Sequence, residues 1–140
     1  MRRIIAVLLI VLCLAGTFCS CTKKAPETIE TKSRTAIRTI YGKPGLTHHF
    51  YWDVVKADGK TDGYEIWTKE KTFGGALEKM KVAGFEVNEK GKLTGIDVAN
   101  YELPEGTRWE FYINGIYSKE NPKDIKTVNG YIYSLVQVKN

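Results

Sequence analysis

Strand-type alternation that begins at His48, one stretch of helical spacing after Thr72, and a return to short strands divided by Asn-Gly turns predict an α+β fold, a mixed sheet with one helix packed on one face. The folded part is expected over residues 48–140, behind a leader and a linking segment.

In the leader, Arg2-Arg3 precedes an apolar run over 4–15 that ends in Gly16-Thr17-Phe18-Cys19-Ser20-Cys21. A positive start, a short apolar stretch and small residues before a cut site describe an export signal, whereas a membrane span needs about 20 apolar residues. Phe18-Cys19-Ser20-Cys21 resembles a bacterial lipobox, with a small residue before the modified cysteine; bulky Phe18 makes Cys19 the poorer candidate. Residues 1–20 are therefore expected to be removed, and Cys21 to carry the lipid. The expected address is outside the cytoplasm, lipid-anchored to the cell membrane or outer membrane. Residues 21–47 are rich in Lys, Thr, Glu, Ser and Pro and read as a flexible tether, because so little apolar surface cannot offset the entropy of ordering. Within them, residues 36–41 read either as a short edge strand or as plain linker.

From His48 the alternation sets Phe50, Trp52 and Val54 on one face of a strand and Tyr51, Asp53 and Val55 on the other. Asp58-Gly59 and Asp62-Gly63 mark a turn, and Tyr64-Glu65-Ile66-Trp67-Thr68 is the returning strand of a hairpin. Thr72 caps a helix whose apolar positions are Phe73, Leu77 and Met80, and Gly84 reads as its stop. Gly74-Gly75 weakens the first turn by roughly 1 kcal/mol per glycine and suggests close packing on the sheet. Strands follow at residues 85–87, 93–98 and 109–113, the last closed by Asn114-Gly115, and a final strand runs over 131–138 after Asn129-Gly130. Hairpin, single helix, then further strands is the order of a β-grasp fold.

Four stretches add a resemblance: Val54-Val55-Lys56-Ala57-Asp58-Gly59, the helix around Gly75-Ala76-Leu77, Trp109-Glu110-Phe111-Tyr112-Ile113-Asn114-Gly115, and Lys126-Thr127-Val128-Asn129-Gly130-Tyr131-Ile132-Tyr133. In this order they resemble the transcobalamin C-terminal-like domain of bacterial lipoproteins, over residues 48–140. The chain departs from the family in having Gly130-Tyr131 where an acidic Gly-Asp pair is usual. The resemblance implies a β-grasp module on the outer side of a membrane and, by analogy, a small-molecule ligand such as a corrinoid; it implies no enzyme.

Composition excludes several classes. Loss of Arg2 and Arg3 with the leader lowers the formal charge from +5 to +3, and the remaining cations are scattered among acids, which gives nucleic acid no stripe to bind. All three cysteines, Cys13, Cys19 and Cys21, lie in or at the end of the leader, so a mature monomer has no disulfide framework. His48 and His49 are adjacent on a strand and point to opposite faces, so no metal site is expected. No nucleophile motif appears, and Asp53 and Glu65, placed across the first hairpin, would need a buried cleft to act as a pair. No catalytic residue and no cofactor are expected. The remaining candidates are aromatic. One helix covers one sheet face, which leaves Tyr51, Trp67 and Tyr112 on the other as a shelf for a planar ligand, a sugar ring or a protein partner. The alternative is that Ile40, Tyr41 and the tether fold back over that face. The functional expectation is a lipid-anchored, non-enzymatic binding module for a small molecule or polymer of the envelope; the other reading is a structural or adhesive domain that docks on an envelope or transporter protein.

Overall fold

A computed structural model describes residues 26–140, so the leader and Cys21 lie outside the described residues. The elements in order are β1 (Thr39–Tyr41), β2 (His48–Val55), β3 (Thr61–Thr68), α1 (Phe73–Lys79), β4 (Ala83–Val87), β5 (Leu93–Val98), β6 (Thr107–Ile113), β7 (Ile116–Ser118) and β8 (Ile132–Lys139). Six strands form one mixed sheet in the order β1-β3-β2-β8-β6-β7, and β4 pairs with β5 separately. β2 and β3 are antiparallel, β8 lies parallel to β2, and β6 runs antiparallel to β8. A mixed sheet with one helix among the described residues is the α+β class that the sequence pattern predicts.

The alternation along β2 has the expected consequence. Phe50, Trp52 and Val54 lie on the front face with Ile66, Phe111, Tyr133 and Leu135, and α1 closes over them with Phe73, Ala76 and Leu77. Phe73 is the hub, with its ring 5.8, 5.3 and 5.1 Å from those of Phe50, Phe111 and Tyr133. Burying each such side chain contributes roughly 2–3 kcal/mol, which is what holds a helix of seven residues that would melt alone. The β4–β5 hairpin extends this cover with Ala83, Phe85 and Val98.

The caps are partly as read. Thr72 holds an extended backbone and its hydroxyl accepts the Gly75 amide at 3.1 Å. Gly74 serves the 121–125 loop rather than the sheet, since an added Cβ would stand 2.4 Å from the Lys123 Cα. Gly84 is not the helix stop. Lys81 takes the left-handed conformation at φ 59°, with Val82 N donating to Leu77 O and Lys81 N to Glu78 O, both at 3.0 Å, while Gly84 sits in β4 opposite Asp97. The first hairpin also turns earlier than expected. Residues 56–60 make the turn, and Asp62 and Gly63 belong to β3. Sequence pattern did not mark β7.

The largest correction concerns the tether predicted over 21–47. From Pro26 the chain is a belt built into the fold. Tyr117 N donates to Glu27 O at 2.9 Å and Ile29 N to Gly115 O at 2.8 Å, so residues 27–29 line the outer edge of β7. Residues 30–38 then cross the back face of the sheet, and β1 pairs in parallel with β3 at the opposite edge. The belt caps both edges, which removes two unpaired strand borders. Gly63 leaves room for the side chains of the belt: a Cβ there would meet that of Lys32 at 2.7 Å. Composition missed the belt because backbone hydrogen bonds and one ion pair hold it, with little apolar burial.

Candidate functional site

Register assigns the back face. His49, Tyr51 and Asp53 of β2 lie there, with Glu65 and Trp67 of β3 and Glu110 and Tyr112 of β6, because His49 pairs with Trp67, Tyr51 with Glu65, and Tyr112 with Ser134 of β8. The belt divides this face into a covered and an open part.

In the covered part Asp53 has no exposed surface. Its carboxylate accepts from the buried Arg38 guanidinium at 2.5 Å and from the Lys32 amide at 2.9 Å, and Arg38 also donates to the Lys32 carbonyl at 2.7 Å. Tyr112, expected on an open shelf, is fully buried. Its hydroxyl donates to the Pro26 carbonyl at 2.8 Å, and burial raises its pKa above the ordinary phenol value. Tyr112 therefore fastens the belt, and the shelf predicted from Tyr51, Trp67 and Tyr112 does not exist as one open surface.

In the open part Tyr51 and Trp67 do come together, with two residues that aromatic content alone did not select. The rings of His49 and Trp67 stack with centroids 3.9 Å apart and planes 14° apart, and Tyr51 meets His49 edge-on at 5.1 Å. Glu65 Oε1 accepts Trp67 Nε1–H at 3.1 Å and lies 2.8 Å from His49 Nε2. A carboxylate only accepts, so His49 carries its proton on Nε2, and in the neutral ring Nδ1 is left as an acceptor. Asn129 ties down the start of β2 by accepting the His49 amide at 3.0 Å, and Arg38 lies 4.9 Å from the Tyr51 ring centre. The four side chains are half-buried, with 22% of the His49 and 25% of the Glu65 side chain exposed. The result is a rigid aromatic platform with a polar border. The hairpin register was the missing signal: starting the turn at Lys56 puts His49 opposite Trp67. Asp53 and Glu65 share the face but each has its own partner, so they do not form a carboxylate pair.

Two other features lie on the front. A cavity of about 290 Å³ between β5 and β6 is lined by Leu93, Ile96, Leu103, Arg108 and Trp109. Separately, Tyr64 and Tyr101 share a hydroxyl hydrogen bond, and Tyr101 donates to Asp62 at 2.8 Å, which lowers the Asp62 pKa. Among the described residues no group of three His, Cys, Asp or Glu side chains is placed to hold a metal ion, and no helix is long and apolar enough to cross a membrane.

No family model matches this chain, and no curated protein matches it. It is similar in structure to a protein from Ruminococcus gnavus ATCC 29149 described as a "putative metal binding protein", with a TM-score of 0.59 at 20% identity, over 66% of this chain and 98% of that one. At that identity the likeness shows the fold alone.

Proposed function

We propose that this chain is a lipid-anchored, extracytoplasmic binding module without catalytic activity, and that it takes its ligand on the platform of His49, Tyr51, Glu65 and Trp67. The observation that carries the reading is the stacked His49–Trp67 pair, partly exposed on a sheet face and held by one carboxylate. Rigid aromatic surface with a polar border is what ring-shaped ligands need. The adjoining charges are already paired, Arg38 with Asp53 and Glu65 with His49. The fitting ligand is accordingly a neutral ring with hydroxyl or amide groups, such as a sugar unit of an envelope polymer.

The Ruminococcus gnavus neighbour is described in terms of binding, which agrees with a binding role, but a metal would find only the His49–Glu65 couple at this platform. The proposal keeps the chain with the transcobalamin C-terminal-like lipoprotein domains and the β-grasp class. In support, the hairpin β2–β3 and the later strands β6 and β8 lie in the order β3-β2-β8-β6 with β2 parallel to β8.

Equilibrium binding of three neutral probes, chitohexaose, riboflavin and cyanocobalamin, to residues 21–140 and to Trp67→Ala tests the reading and separates polymer, planar heterocycle and corrinoid. At least one probe should bind and lose tenfold or more in affinity in the variant, equivalent to about 1.4 kcal/mol. Equal affinity in both proteins would place the ligand elsewhere. Capture of an envelope protein with no probe bound would favour the docking role.

A further inference from the structure

The belt changes how far the domain can stand from a membrane. A tether of residues 21–47 would reach about 90 Å when extended, but only residues 21–25 precede the point where the chain joins the fold, and they span at most about 17 Å. The joining point is not arbitrary: Pro26 is held by Tyr112 and Glu27 by Tyr117, at the β6–β7 edge.

The same end of the sheet carries exposed apolar side chains. Ile116 is 62% exposed, Val128 44% and Tyr131 37%. They belong together, because Ile116 pairs with Ile113, Ile113 with Tyr133, the Tyr131 ring lies 6.2 Å from that of Tyr133, and Val128 N donates to the Tyr133 hydroxyl. Arg34 spans the two turns beneath them, donating to Gly130 O at 2.8 Å and to Asn114 Oδ1 at 3.4 Å. The exposed charges at these segments or near them in sequence are Arg34, Lys119 and Lys126 against Glu27, Glu120 and Asp124, so both signs are present in equal number and the attraction to a membrane comes from aliphatic and tyrosine side chains. Tyrosine suits that boundary, with an apolar ring and a polar tip.

We infer that this end of the domain, the turn at Asn114 and Gly115 together with residues 128–131, rests on the lipid headgroup layer of the membrane that holds Cys21. The inference depends on the lipid-anchor reading, and it goes beyond it by orienting the domain: the belt is a short leash that sets one face down.

Cys21 is the only cysteine of residues 21–140, so it can be coupled through maleimide either to a phospholipid in phosphatidylcholine vesicles, with or without phosphatidylglycerol, or to a water-soluble cap. Amide hydrogen exchange of the two products is then compared by mass spectrometry. Amides in 114–118 and 128–131 should exchange several-fold more slowly on vesicles, while the 56–60 turn and exposed Ile37 and Ile40 at the far sheet edge do not change. The double variant Ile116→Glu, Tyr131→Glu should lose the protection and stay folded, since neither side chain belongs to the buried core. Uniform exchange on vesicles, or protection that survives the double variant, overturns the inference. Protection seen only in native envelopes and never on pure lipid overturns it in favour of a protein partner. Intact mass of the exported protein tests the anchor separately: a Cys21 without lipid sinks the anchor reading, and the coupled vesicles still decide whether this surface docks.

Discussion

Tyr51 and Asp53 stand two residues apart on β2, face the same side of the sheet, and meet opposite fates. Asp53 lies under the belt with its charge matched by Arg38, whereas Tyr51 borders an uncovered platform where His49, Trp67 and Glu65 satisfy one another. The belt's path makes the difference. It crosses where a glycine, Gly63, leaves room, and it leaves uncovered the start of β2, where the 129–130 turn already occupies the backbone. One half of the face is thus spent on holding the fold, and in the other His49, Glu65 and Trp67 satisfy one another, while the belt reaches only the Tyr51 ring through Arg38 and the 129–130 turn through Arg34. A surface that is pre-satisfied and half-exposed costs little to present to a ligand.

The sharpest way to break this contrast is Asp53→Ala, which leaves the Arg38 guanidinium buried and unpaired. A loss of about 3–5 kcal/mol is expected in urea unfolding; a loss below about 1 kcal/mol would mean that the belt is not latched there. Replacing both partners, as Asp53→Leu with Arg38→Met, should recover most of that loss, because the cost comes from the orphaned charge. Trp67→Ala is the mirror experiment. It should cost the responsive probe tenfold or more in affinity and lower stability by roughly 2 kcal/mol, from the stacked pair and the buried part of the ring. Tyr112→Phe is smaller still. It removes the hydroxyl that holds Pro26, for about 1 kcal/mol, and should leave probe affinity unchanged, which separates Tyr112 from the platform it was expected to join. The least effect is in alkali. Burial raises the pKa values of Tyr112 and Tyr133 above the ordinary 10.0, so the folded state resists losing their protons while the unfolded chain gives them up. Their stabilisation is complete below pH 10 and declines as pH rises through the raised values. Unfolding followed by circular dichroism across that range should show a shallower alkaline decline in Tyr112→Phe than in the parent.

Much of the fold was legible because it rests on local periodicity. The period-two alternation of Phe50, Trp52 and Val54 and the Thr72 cap needed no tertiary information. The side of the sheet was also readable: Tyr51, Trp67 and Tyr112 do share a face. Whether that face is open was not, since the belt is held by contacts between residues 15 to 96 positions apart, such as Arg38 with Asp53 and Arg34 with Gly130, which no composition window reports. His49 and Glu65 escaped for a narrower reason. Asp62 and Gly63 look like a turn but extend β3, and only the true turn at residues 56–60 sets His49 against Trp67.

The central claim is that the open half of the back face, and neither the covered half nor the front cavity, receives the ligand. The chain's three tryptophans report on different parts of the molecule, Trp67 on the platform, Trp52 in the core and Trp109 in the cavity between β5 and β6. Titration of the ¹⁵N-labelled protein with chitohexaose, riboflavin and cyanocobalamin, followed at the three indole N–H resonances, reads them at once. The account predicts that the binding probe moves the Trp67 signal together with the His49 and Glu65 amides and leaves Trp52 in place. Movement of Trp109 with Trp67 unchanged would contradict it.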